Sequence, residues 1–326
     1  MELFGPILNQ MVVLALFIVI GFVLSHFKLV PKDSAQALSK METLVFVPAM
    51  IINTFVENCT VEKLSSVWQL LVMSCILVAI VTPVSLLVSK ALYKEDYARK
   101  LSAYGLAFSN FGFMGNAVFM AIFPEIFFEY TIFTLPFWTV AYVWAVPSWC
   151  VPSEGQSKEK KSVWGHIKPF INPLMVSVVI GMVLGLTGLN ACLPAPVKSV
   201  LSITGSCMSP LAMILMGLAL GTIPVMNLFK RKSLYIHTAI RLIVYPLVVI
   251  GILYLLSLTG TNAFINDTFY KCATCMVSMP VGLTAIFIVA SYERDTSEVV
   301  GMALLSSIAS VLTIPLWFSL LQMLIL

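Results

Sequence analysis

Charge is what this sequence has least of. Asp, Glu, Lys and Arg make up 10% of its 326 residues, against about 25% in soluble domains. With 60% hydrophobic residues, there is too little polar side chain to coat a globule in water, so most of the surface faces lipid. Histidine is nearly absent: His26, His166 and His237 are too dispersed for a metal site. No H-E-x-x-H, glycine-rich phosphate loop or embedded acid pair is present, which leaves enzymatic readings without a catalytic constellation. The alternating segments of a β-barrel are missing too, so helices satisfy the backbone. The first apolar run has no basic leader and no small-residue cleavage site, and reads as a permanent helix. Seven cysteines, an odd number scattered through apolar segments, read as packing residues; Cys272 and Cys275 have no second pair nearby. Neither nucleic acid nor a cofactor is indicated.

What the chain does have is a series of apolar runs, each near the 20 residues a helix needs to cross a bilayer. They predict an all-α integral membrane protein with ten transmembrane helices, at 6–26, 37–55, 64–89, 101–123, 130–151, 170–190, 198–221, 234–257, 269–291 and 297–325. The basic residues alternate with this count. Lys28, Lys32 and Lys40 follow the first span, Lys90, Lys94, Arg99 and Lys100 the third, and Lys158, Lys160, Lys161 and Lys168 the fifth. Lys230, Arg231 and Lys232 follow the seventh and Arg294 the ninth, whereas the other side has only Lys63, Lys198 and Lys271. The positive-inside rule makes the richer side cytoplasmic and puts both termini outside a plasma (inner) membrane.

Spans five and ten align as VAYVWAVPSW (140–149) and IASVLTIPLW (308–317), sharing Ala141, Val143, Pro147 and Trp149 with Ala309, Val311, Pro315 and Trp317. Spans two and seven share a proline (Pro48, Pro210), spans three and eight another (Pro83, Pro246), and spans one and six a G-x-V-L at Gly21 and Gly181. The pattern divides the chain into a five-helix repeat (1–152), a cytoplasmic linker (153–169) and a second five-helix repeat (170–326). Five is odd, so the second copy enters the membrane inverted, the architecture of many secondary transporters.

Such carriers bind substrate where matching helices are interrupted. The fourth span contains SNFGFMGN (109–116), and the ninth contains SMPVGLTA (278–285). Candidate substrate-binding groups are Ser109, Asn110, Gly112, Gly115 and Asn116 in the first stretch, and Ser278, Pro280, Gly282 and Thr284 in the second. Asn53, five residues after Pro48, is a further candidate. Small residues and asparagines also let membrane helices pack, so a purely structural role for these stretches stays open. Arg241 has two open readings: it snorkels to the cytoplasmic surface, or it balances substrate charge or pairs with carbonyls of a broken helix. The acidic residues fall in loops or near span ends, with Glu42 the most nearly embedded.

These stretches, with VPAMIINTF (47–55), FIVASYERD (287–295) and the ending from Ser310 to Leu316, resemble the auxin efflux carrier family, which includes bacterial organic-anion carriers and plant PIN-type exporters. The resemblance covers essentially the whole chain. It implies a scaffold (spans 1, 2, 6 and 7), often dimeric, and a transport unit (spans 3–5 and 8–10) that moves like an elevator. It also implies that spans four and nine cross and bind the carboxylate of a small organic anion there, with Asn110 at the family's crossover asparagine. Asn116 stands where members commonly have proline, and Thr284 where bacterial members often have asparagine; each keeps or adds hydrogen-bonding capacity. Similarity to the bile-acid symporter fold implies a rival mechanism, sodium-coupled symport with the ion near Asn110 and Thr284. A non-transporting membrane sensor of the same fold is the other alternative.

Overall fold

A computed structural model describes residues 3–31, 33–151, 171–222, 228, 230–258, 265–284, 286 and 297–324. The predicted linker 153–169, Arg294 and the 287–295 motif lie outside the described residues. In chain order the helices are α1 (Phe4–His26), α2 (Ser34–Met41), α3 (Val47–Asn58), α4 (Val61–Leu92), α5 (Asp96–Ala107), α6 (Asn116–Ile122) and α7 (Phe127–Val140), then α8 (Pro173–Leu186), α9 (Ala195–Leu220), α10 (Lys232–Ala239), α11 (Tyr245–Leu258), α12 (Asp267–Ser278) and α13 (Ser297–Leu324). Wider π-helical turns join α2 to α3 (Glu42–Phe46) and α10 to α11 (Ile240–Val244), and continue α7 over Ala141–Cys150. Each lies at a proline, Pro48, Pro246 or Pro147. A proline ring lacks the amide and crowds the carbonyl four residues back, so the turn before it loosens.

Seven helical stretches are long and apolar enough to cross a membrane: Phe4–His26, Ser34–Asn58, Val61–Leu92, Pro124–Cys150, Ala195–Leu220, Lys232–Leu256 and Glu298–Leu324. The predicted sixth span is the shorter apolar helix Pro173–Leu186. The predicted fourth and ninth spans are not continuous helices. Among the described residues no strand forms beyond one isolated antiparallel bridge, Ser109 to Val281.

Burial follows the membrane reading. Leu16 and Val19 of α1, Ile80 and Leu87 of α4, Val179 of α8 and Leu312 of α13 are large apolar side chains left exposed, as lipid contact requires. The centre, by contrast, holds the least apolar helices, with every residue of 101–116 and 272–283 buried. Around them α4 and α7 pack together, where the Ser74 hydroxyl donates to the Phe133 carbonyl. Helix α5 starts at a firm cap, with the Glu95 carboxylate accepting from the Tyr97 and Ala98 amides. In its first turn the hydrogen bond from Lys100 holds the Asp96 carboxyl below its ordinary range.

On one flank α1 and α9 meet backbone to backbone. A Cβ on Gly21 would lie 2.0 Å from the Ile214 carbonyl oxygen, and one on Gly217 2.0 Å from that of Ile18. Because the obstacle is main chain, a side chain there has to push two helices apart. Gly217→Ala is expected to cost about 1–3 kcal/mol, as overpacked cores do. Thermal unfolding of the purified protein in detergent measures it, and an unchanged midpoint would contradict the close approach.

Candidate functional site

Helix α5 ends at Ala107, and Phe108 is extended (φ −114°, ψ 102°). Helix α12 ends at Ser278; Met279, which precedes Pro280, is pushed to φ −69°, ψ 149°, because the proline ring disfavours helical backbone before it. The two extended pieces cross. The Asn110 amide donates to the Pro280 carbonyl at 2.7 Å, and the Gly282 amide to that of Phe108 at 3.1 Å. Gly282 permits this approach, since a Cβ there would sit 2.9 Å from the Phe108 oxygen. The Val281 amide donates to the Ser306 hydroxyl of α13 at 3.1 Å. After the crossing the chain coils through a π-helical turn, Phe111–Gly115, into α6. Aromatic rings fix that turn. A Cβ on Gly112 would sit 1.9 Å from the Trp138 ring and one on Gly115 2.4 Å from the Tyr130 hydroxyl, which donates to the Phe111 carbonyl at 2.9 Å.

Arg241, in the π-helical turn between α10 and α11, is 2% exposed and does not extend to the surface. Its Nη1 donates to the Leu106 carbonyl at 3.0 Å, Nη2 to Met276 at 3.2 Å and Nε to Met279 at 3.1 Å. One guanidinium thus caps the carbonyl ends of both interrupted helices, placing a full positive charge where two helix dipoles end negative. Tyr245 sits under it, ring centroid 5.8 Å away, and shares a 2.7 Å hydrogen bond with the Ser85 hydroxyl of α4.

The remaining polar groups divide between spent and free. Ser109 donates to the Met276 carbonyl at 2.7 Å and Ser278 to that of Cys275 at 3.2 Å, so both hydroxyls already serve the backbone. Asn110 is 1% exposed, and neither its Oδ1 nor its Nδ2 has a hydrogen-bond partner. A buried amide with no partner is costly, and here it faces a void.

One cavity lies at the crossing and another further along the first stretch. The smaller, about 10 Å³, has room for roughly one water. It is lined by Ser109, Asn110, Gly112, Gly282 and Thr284, with Tyr104, Phe108 and Trp138 around them. The Thr284 side chain lies beside the Tyr104 and Tyr142 phenols. The larger, about 400 Å³, lies between α1, α3 and α9 on one side and α6 on the other, and takes in Asn53 and Asn116 together with Gln10, Ser202 and Ser209. Of the sequence candidates, then, five share the small void, two share the large cavity, Pro280 supplies a bridging carbonyl, and Gly115, Ser278 and Arg241 support the crossing from behind.

Several participants were invisible to sequence reading. Trp138 and Tyr142 stack on one another, ring centroids 5.4 Å apart, one turn apart on a helix that otherwise reads as ordinary apolar membrane sequence. Ser209 donates to the Phe113 carbonyl at 2.7 Å, and Ser306 looks in sequence like any small residue of a packed helix. Glu42 departs from expectation: the carboxyl placed near a span end is 1% exposed, with both oxygens unpartnered.

An all-helical assembly with lipid-grade outer faces, whose interior holds two interrupted helices around an unpartnered amide, is a multi-pass membrane protein. The family model described as membrane transport protein matches residues 6–163 and 150–318. The chain belongs to that family, in the superfamily of auxin efflux carriers and bile-acid:sodium symporters. No curated protein matches it.

Proposed function

We propose that this membrane transport protein is a secondary carrier for a small organic anion, a carboxylate of auxin-like or malonate-like kind, working by elevator-type alternating access. The observation that carries the reading is the unpartnered Asn110 side-chain amide at the crossing, which faces a small void, with a larger cavity at Asn116 further along the same stretch. The cavity lined by Asn53 and Asn116, about 400 Å³, is large enough for a small carboxylate, while the void at Asn110, about 10 Å³, is closed to one in this conformation, and alternating access would supply its opening. The wider arrangement in this reading is ten spans in two inverted halves, 1–152 and 170–326. The interrupted helices take the fourth place in each half, and α1, α3, α8 and α9 form a scaffold that pairs two protomers. Both termini lie outside the plasma (inner) membrane.

Uncoupled movement of a monoanion is favoured outward by about 2.3 kcal/mol per 100 mV, negative inside, so efflux is the proposed direction. Sodium symport, with the ion near Asn110 and Thr284, is the rival.

Purified protein is screened by thermal shift and proteoliposome counterflow against mono- and dicarboxylates, malonate and indole-3-acetate among them, with sodium present or replaced. At least one carboxylate is expected to raise the melting midpoint and to be exchanged without sodium, because a ligand that binds only the folded state stabilises it. No shift and no exchange across the panel would overturn the carrier reading. Exchange that requires sodium would replace the uncoupled mechanism by symport.

A further inference from the structure

Glu42 opens the π-helical turn between α2 and α3, one turn and a half before Pro48. The loosened turn rotates the carboxyl inward, where it is 1% exposed and neither oxygen finds a donor. No ion pair among the described residues includes it.

Its surroundings offer little compensation. The turn packs against α2, α3, α8 and α9. Helix α2 brings Lys40, which is exposed two residues away, where helical geometry points it to a different face. Helix α3 brings Glu57, 15 residues further on and so about 22 Å along the axis. Lys198 of α9 shares a small cavity with Glu57 and therefore sits at that same far end, and Cys207 of α9 is half-buried. Helix α8 carries no titratable residue. From the arm that continues α7 comes Tyr142, whose phenol lies within electrostatic range of Glu42 and beside Thr284 at the crossing.

A carboxylate in such a place would be a bare charge without counter-ion, which proteins avoid by neutralising the group. A sodium ion would need several oxygens converging on it; a proton needs one carboxyl. We propose that Glu42 is a proton-binding site of the carrier: it holds a proton while the packing of the turn against α2, α3, α8 and α9 keeps it buried, and gives the proton up when that packing opens to water. On release the carboxyl O–H bond breaks, its electron pair stays on the carboxylate, and the proton passes to water. Tyr142, within electrostatic range of Glu42 and beside Thr284, couples protonation at Glu42 to occupancy of the crossing. This linkage rests on the carrier reading; the proton site itself does not.

The test uses full-length protein in liposomes and needs no substrate. Infrared spectra are recorded across pH for the wild type and Glu42→Gln, together with tryptophan emission, to which Trp138, stacked on Tyr142, and Trp144 and Trp149 of the arm contribute. The wild type is expected to show the carbonyl band of a neutral carboxylic acid that disappears as pH rises, with a change in tryptophan emission at the same midpoint. Glu42→Gln loses both. Should Glu42→Gln fail to fold, Glu42→Asp takes its place, with a shifted band and midpoint. A band that persists in the variant overturns the assignment to Glu42, and emission that ignores the titration overturns the link to Tyr142. Neither result bears on whether carboxylates are carried, which the counterflow panel decides separately.

Discussion

Arg241→Leu is expected to leave little correctly folded protein. The substitution removes three donors from the Leu106, Met276 and Met279 carbonyls at the ends of both interrupted helices. Hydrogen bonds to charged groups contribute about 1.5–3 kcal/mol each. The loss is not a simple sum, because the Met276 carbonyl keeps the Ser109 hydroxyl as a second donor. Stripping a buried charged group from its partners typically costs about 3–5 kcal/mol, the magnitude expected here and a large part of any domain's stability. Arg241→Lys keeps the charge but has no planar fork to reach three carbonyls set apart, so it should fall between the two. Yield of monodisperse protein on size exclusion and the melting midpoint in detergent are the readouts. An Arg241→Leu protein that elutes and melts as the wild type does would mean the helix ends find other donors.

The opposite pairing of effects is expected at Asn110. Its side-chain atoms make no hydrogen bond within the protein, so Asn110→Ala removes two unsatisfied groups and leaves folding intact or slightly firmer. Transport should collapse. Two amide hydrogen bonds to a carboxylate, at about 1.5–3 kcal/mol for a charged partner, correspond to at least a tenfold to hundredfold weaker binding. Counterflow in proteoliposomes, run with whichever carboxylate the panel identifies, measures this beside the melting midpoint. Full activity in Asn110→Ala would sink the crossing as the binding site, whereas a low midpoint would make the residue a structural one.

These residues also show how far the sequence could be read. The break at 278–282 was legible because Pro280 cannot continue a helix and restricts the residue before it. The break at 108–110 contains no proline and was legible only as glycine and asparagine in membrane-grade sequence. Arg241 was recognisable as an embedded cation. Pairing with carbonyls of a broken helix was one of two open readings, but which carbonyls was not legible, since Leu106 lies 135 residues away and a backbone carbonyl leaves no trace in sequence. The burial of Glu42 was missed for a related reason: ordinary helical periodicity does not locate a side chain that a widened turn has re-aimed. The larger cavity is a property of packing between α1, α3, α9 and α6 that no single segment encodes.

The main-chain bridge between Ser109 and Val281 has one more consequence. Interrupting a helix ordinarily creates a soft joint. Here the Asn110, Val281 and Gly282 amides, and the Leu106, Phe108, Met276, Met279 and Pro280 carbonyls, are each engaged by something packed around them. The least helical part of the interior is therefore among the hardest to deform. Compliance has to reside elsewhere, at the proline-loosened turns and around the cavity that separates α6 from α3 and α9. A molecule held at the bridge would therefore meet a stiff block, whose immediate contacts change little when the loosened turns flex.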